Sequence, residues 1–178
     1  MLTSINRYTA IKGCSIYKLN DLGRPNETPA AIDRDITIGE QTSPTTDIPM
    51  MGTVSVPDQS RIDNFTISVN INCDSPEAAE LNGPGLVGWE IHWVDEVVGA
   101  DGLPSIQGWV ITAHGYVGNS PEATKNSGSE NSGDLTMNVV ASIKRNVTTG
   151  VVAYDIDRRA NRLIRNGIDY RKDINALL

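Results

Sequence analysis

Residues 134–178 constrain the chain most. Leu135, Met137, Val139, Ala141 and Ile143 alternate with Thr136, Asn138, Val140, Ser142 and Lys144, the two-residue period of a strand with one face buried. Val147-Thr148-Thr149-Gly150 then offers a turn whose glycine is free to take positive φ. A second strand over residues 151–157 completes a long hairpin. After a basic stretch, Asn166-Gly167 favours a tight turn. Asp169 is then placed to cap a short helical end, where Ile174, Leu177 and Leu178 fall on one side.

Upstream the reading is again mostly β. Strands are expected at residues 11–19, 32–38, 50–56, 88–98 and 105–117. The cleanest alternation spans residues 61–72: Phe65, Ile67, Val69 and Ile71 on one face, Thr66, Ser68, Asn70 and Asn72 on the other. That second face is polar yet uncharged, unlike an ordinary solvent face. Asp74-Ser75-Pro76-Glu77 followed by Ala78, Ala79 and Leu81 predicts one short helix, with capping residues, proline and an acid at its start. Residues 21–31, 39–49 and 122–133 read as polar loops, the last of low complexity. No repeat or linker divides the chain, so residues 1–178 form a single expected domain.

Composition excludes several classes. The chain has 178 residues, 39% hydrophobic and 21% charged, enough for one real core. No run approaches the roughly 20 apolar residues of a membrane helix. The first residues lack an apolar h-region, so a secretory leader is not expected and synthesis in a cytoplasm is. Cys14 and Cys73 are then expected as reduced thiols. The formal charge is -7, which argues against a protein that grips DNA through phosphates. A duct through which DNA slides without sticking is compatible with that charge.

Chemistry-bearing motifs are sparse. His92 and His114 have no second ligand at metal spacing. Asp155 and Asp157 share a strand face, as paired glycosidase carboxylates could, but no aromatic cleft residues stand close in sequence. Gly85-Leu86-Val87-Gly88 precedes a strand and not a helix, so a dinucleotide site is not expected. Arg158, Arg159, Arg162 and Arg165 form the one basic patch: a solvated surface, or a surface complementary to an acidic neighbour. Neither catalysis, cofactor nor metal is expected.

The long hairpin, Tyr154-Asp155-Ile156-Asp157, Asn166-Gly167-Ile168-Asp169-Tyr170 and the terminal Asp173-Ile174 follow an order that resembles the major tail tube protein of contractile-tailed bacteriophages. The likeness is densest over residues 134–178, about a quarter of the chain. Cys14-Ser15-Ile16-Tyr17 and residues 52–72 agree more loosely, and residues 21–31 and 39–49 depart from the family pattern. The resemblance implies a mainly β, tail-tube-type β-sandwich or barrel with long hairpins and one short α-helix. It implies a structural subunit of hexameric rings, stacked into a tube through which double-stranded DNA passes. The implied partners are further copies of the chain, a sheath protein outside, a tape measure protein inside, and baseplate and tail terminator proteins. No membrane binding is implied. The implied place is the virion tail, made in the bacterial cytoplasm; a contractile bacteriocin uses the same tube.

On this reading Thr66, Ser68, Asn70, Asn72, Thr136, Asn138 and Ser142 face the lumen. Pro44, Asp47, Met50, Arg158, Arg162, Gly167, Asp169 and Ile174 are the expected contacts between subunits, and residues 39–49 the inter-ring loop. Exposed sheet edges, otherwise an aggregation hazard, would be paired by ring closure, and head-to-tail stacking would make the filament. The alternative from another class is a small secreted or surface β-sandwich that binds a ligand on Trp89, Trp93 and Trp109.

Overall fold

A computed structural model of the chain describes residues 7–50, 52–99, 102–120 and 131–177. Its strands in chain order are β1 (Arg7–Lys18), β2 (Ala31–Ile32), β3 (Ile36–Ile38), β4 (Thr45–Met50), β5 (Gly52–Pro57) and β6 (Thr66–Asn72). After helix α1 (Pro76–Leu81) come β7 (Leu86–Val98), β8 (Pro104–Val117), β9 (Ser132–Asn146), β10 (Val152–Asp157), β11 (Arg162–Arg165) and β12 (Ile168–Asp169). A four-residue helix, α2 (Lys172–Asn175), ends the described chain. The mainly β class is as expected. Most of the loop expected at residues 122–133 lies outside the described residues.

One ten-stranded antiparallel sheet runs in the order β12-β11-β10-β9-β8-β7-β1-β2, with β6 beside β9 and β3 beside β6. It is not closed into a barrel, which corrects that part of the expected architecture. The path ends on two-residue strands at both sides, too short to pair across a gap. The sheet instead curls over one core, in which Ile16, Phe65, Ile67, Val69, Ile71, Trp89, Ile91, Ile111, Leu135, Met137 and Ile156 are buried. α1 starts with Ser75 at its N-cap and Pro76 in its first turn. Leu81 seats it on the core, and the Leu81 carbonyl accepts the Trp89 indole N–H at 2.9 Å.

β9 organises the sheet because one of its edges serves two partners. Ser132 to Asn138 pair with β6, and Ala141 to Arg145 pair with β10. Between them lies a bulge: opposite β9, His114 pairs with Ala141 but the next residue, Gly115, pairs with Val139. Val140 is therefore extra, and an extra residue reverses which side chains face inward. Leu135, Met137 and Val139 are buried before the bulge, and Ser142 is buried after it. Ser142 pairs with fully buried Ala113 and with Ile156, and so shares the core face. Its assignment to the lumen is corrected: only 3% of it is exposed, and its hydroxyl lies 3.5 Å from that of Tyr154. Ile143, expected in the core, points outward with Asp155.

Two segments differ from the sequence expectation for local reasons. Residues 32–38 make two strands with different neighbours, β2 on β1 and β3 on β6. Asp33 breaks the run, with φ of 51° and a side chain accepting the Cys14 N–H at 3.2 Å. Residues 45–49, expected within a loop, belong to β4 and pair with β5 in a separate two-stranded sheet.

Candidate assembly surfaces

The first surface is the outer face of the β6–β9 pair. Cross-strand partners there are Thr66 with Asn138, Ser68 with Thr136, Asn70 with Asp134 and Asn72 with Ser132. The register makes a ladder of short polar groups: the Ser68 and Thr136 hydroxyls are 2.9 Å apart, and Asn70 Nδ2 donates to Asp134 Oδ1 at 2.8 Å. Asp134 brings one charge to the end of an otherwise uncharged face. Beyond the end of β8, Asn119 extends the ladder with its side-chain amide. It donates to the Asp134 carbonyl at 2.6 Å and accepts the Thr136 N–H at 2.9 Å, replacing one residue of strand. Thr66, Ser68, Asn70, Asn72, Thr136 and Asn138 thus lie together on one surface, opposite the buried row Ile67, Val69, Ile71, Leu135 and Met137.

The second surface is the β4–β5 hairpin. Ile48 stands across from Val54 and Thr46 across from Val56, so these side chains share one face. Ile48, Val54 and Val56 are 39–47% exposed. On the opposite face Ser55 donates to Asp47 Oδ1 at 2.5 Å. The hairpin is amphipathic, and its apolar face lies outside the core of its own chain. An isolated two-stranded hairpin is marginal in water. Pro44 and Asp47 are on this arm or its stem, and Met50 pairs with Gly52 near its tip.

The third surface is the C-terminal lobe. Asn166 and Gly167 have φ of 48° and 79°, the paired positive values of a type I′ hairpin turn, and they join β11 to β12 through the Arg165–Ile168 pair. Asp169 accepts the Arg171 N–H at 2.9 Å. It thereby shapes the turn ahead of α2, whose own N-cap, Arg171, makes no side-chain cap; the expected helix cap is corrected to that extent. No α2 residue is buried, and Ile174 and Leu177 are 37% and 89% exposed. Leu178 lies outside the described residues. Paired Asn161 and Asn175 side chains (2.6 Å) hold α2 in place.

The arginines, Arg158 and Arg162 of the expected inter-subunit set among them, also make contacts within the chain. Arg158 donates to the Asn64 side chain and to the Asp63 carbonyl. Arg162 is paired with Asp155 across β10 and β11 at 2.9 Å. Arg165 donates to the Gln41 carbonyl at 3.3 Å, and Arg171 to the Ser60 carbonyl at 3.1 Å. Sequence reasoning missed that these contacts grip the two stems of the arm: their acceptors are main-chain carbonyls distant in sequence.

Other chemistry-bearing groups are structurally engaged. Asp157 takes the N–H groups of Arg159 and Ala160 at 2.9 and 3.2 Å. Burial raises its pKa, but these donors and Arg159 together hold it below the usual carboxylate range. On the outer face, His92 Nε2 and Glu90 Oε1 are 2.7 Å apart, with Thr112 also bonded to Glu90. Burial pulls His114 below the usual histidine value. Burial, then Asp33, pushes the Cys14 thiol up to about 11. Trp93 and Trp109 stack with centroids 6.3 Å apart, and the Lys144 ammonium sits 5.1 and 4.8 Å from them. Trp89 is fully buried, so the three tryptophans do not form a common ligand platform. Among the described residues, no three His, Cys, Asp or Glu side chains are grouped to hold a metal ion, and no helix is long and apolar enough to cross a membrane.

No protein-family model matches the chain, and no curated protein matches it in sequence.

Proposed function

We propose that this chain is the subunit of a phage-type tail tube: a structural protein that closes into hexameric rings and stacks into a hollow conduit for DNA. The observation that carries the reading is the β4–β5 arm, an amphipathic hairpin whose apolar face is partly exposed and stands outside the core formed by the described residues. A partner surface is the physical remedy for such a face, and a head-to-tail contact with a second copy repeats without end. The open sheet supports the same reading, because an unclosed antiparallel sheet has edges that want partners. Among the described residues, the outer edge of β1 pairs with β2 at Ser15 and Ile16, and its Cys14 and Lys18 carbonyls accept the N–H groups of Asp33 and Asn26; the stretch before Cys14 has no strand partner on that side.

The polar ladder on β6 and β9 supplies the lumen wall in this proposal. Short hydroxyls and amides wet a channel without binding phosphate. The exposed α2 end and the arm make the contacts between subunits, with Gly167, Asp169 and Ile174 at one and Pro44, Asp47 and Met50 at the other. The sheath surrounds the tube, the tape measure occupies it before DNA, and baseplate and terminator proteins meet its ends. Sedimentation of the purified chain across a concentration series tests the reading. Growth into fast-sedimenting polymers supports it, and a single monomer boundary at every concentration contradicts it.

A further inference from the structure

We propose that the cavity at the root of the arm binds a single inorganic oxyanion of the phosphate or sulfate type. The cavity has a volume of about 140 Å³. It lies where the turn after β10 faces the trailing stem of the arm, and its walls include Ser60, Arg61, Asp157, Arg158, Asn161 and Arg171. The site belongs to the single chain and stands whether or not the chain polymerises.

Two observations converge on it. Arg158 and Arg171 use their terminal nitrogens on stem carbonyls, including Ile62 at 3.4 Å and Ser60 at 3.1 Å. Their Nε–H groups are buried and meet no acceptor among the described residues, a costly state for a charged donor. Charge gives the second. Arg159 is occupied by Asp157 at 3.5 Å and Arg162 by Asp155 at 2.9 Å. Arg61, Arg158 and Arg171 are then three cations beside two carboxylates, Asp63 and Asp58, the latter held below its ordinary pKa first by its bond from Ser60 and also by Arg61 and Arg171. Both carboxylates turn to hydroxyls, Asp58 to Ser60 at 2.7 Å and Asp63 to Thr42 at 3.2 Å. Guanidinium groups bind tetrahedral oxyanions through several N–H donors at once. Asn161, whose amide nitrogen also donates to Asn175, adds a neutral donor to the same wall. A bound oxyanion ties the stem of the arm to the turn between β10 and β11.

Calorimetric titration of the full-length protein with inorganic phosphate, at ionic strength held constant with chloride, tests the site. Saturable binding near one ion per chain is expected, with a rise in melting temperature. Arg171→Gln weakens it at least about tenfold, as loss of a charged donor implies, and Arg24→Gln, at a residue that does not line the cavity, leaves it unchanged. Heats no larger than those of added chloride, or acetate binding as well as phosphate, overturn the proposal. If Arg171→Gln does not fold, the wild-type comparison of phosphate, chloride and acetate decides alone.

Discussion

The hydroxyls of Ser68 and Thr136 meet at 2.9 Å across the β6–β9 pair, at the middle of a polar face backed by a fully apolar one. Ser68→Lys places a cation in that ladder where no carboxylate stands directly opposite. Position 70 is less informative, since a lysine there would pair with Asp134, now bonded to Asn70. The Ser68→Lys protein is expected to assemble normally while particles carrying it release DNA more slowly, because phosphates bind lysine. Ejection at the wild-type rate removes this face from the lumen.

Ile67, on the reverse of the same strand, is fully buried beside Met137. Ile67→Ala should cost the free subunit about 2–5 kcal/mol, the usual range for such a cavity. Chemical denaturation measures it, and an unchanged midpoint contradicts the packing described.

The β9 bulge rests on Gly115. A Cβ there would lie 2.2 Å from the Asn138 carbonyl oxygen and 2.6 Å from Met137 Cγ, distances that force the strands apart. Gly115→Ala is expected to destabilise the subunit by roughly 1–3 kcal/mol or more, in the manner of an overpacked core. Gly150→Ala is a control free of crowding: nothing lies within 4 Å of its Cβ position, although its φ of +73° adds backbone strain. Equal losses in the two variants, followed by thermal melting, would show that crowding at the bulge is not the cause.

The same bulge explains how much could be read from sequence. Residues 65–71 alternate without interruption, so their two faces were legible, as were the Asn166-Gly167 turn and α1. In β9 the alternation in sequence runs unbroken past Val139, but the structure adds Val140 as an unpaired residue, and every later side chain changes face. Ser142 was misplaced for that reason. The arm was hidden by composition: Thr45-Thr46-Asp47-Ile48-Pro49 looks like a loop until Ile48 is seen opposite Val54. β11 was missed because Leu163 is its one buried residue, although arginines flanking Leu163-Ile164 ahead of Asn166-Gly167 are a hairpin signal.

Removing the apolar face of the arm should separate folding from assembly. Ile48→Asp with Val54→Asp alters residues outside the core cluster, so the melting temperature should stay close to wild type. Polymer formation, followed by light scattering, should fall by at least about tenfold, because charges in a desolvated contact are strongly unfavourable. Polymers of normal length from this variant would exclude the arm as the joint.

Electron microscopy of the purified chain at high concentration tests the central claim most directly. Hollow tubes or six-fold rings with an open centre are the predicted result. A uniform field of monomers, at concentrations where the exposed arm should already have found a partner, would contradict the account.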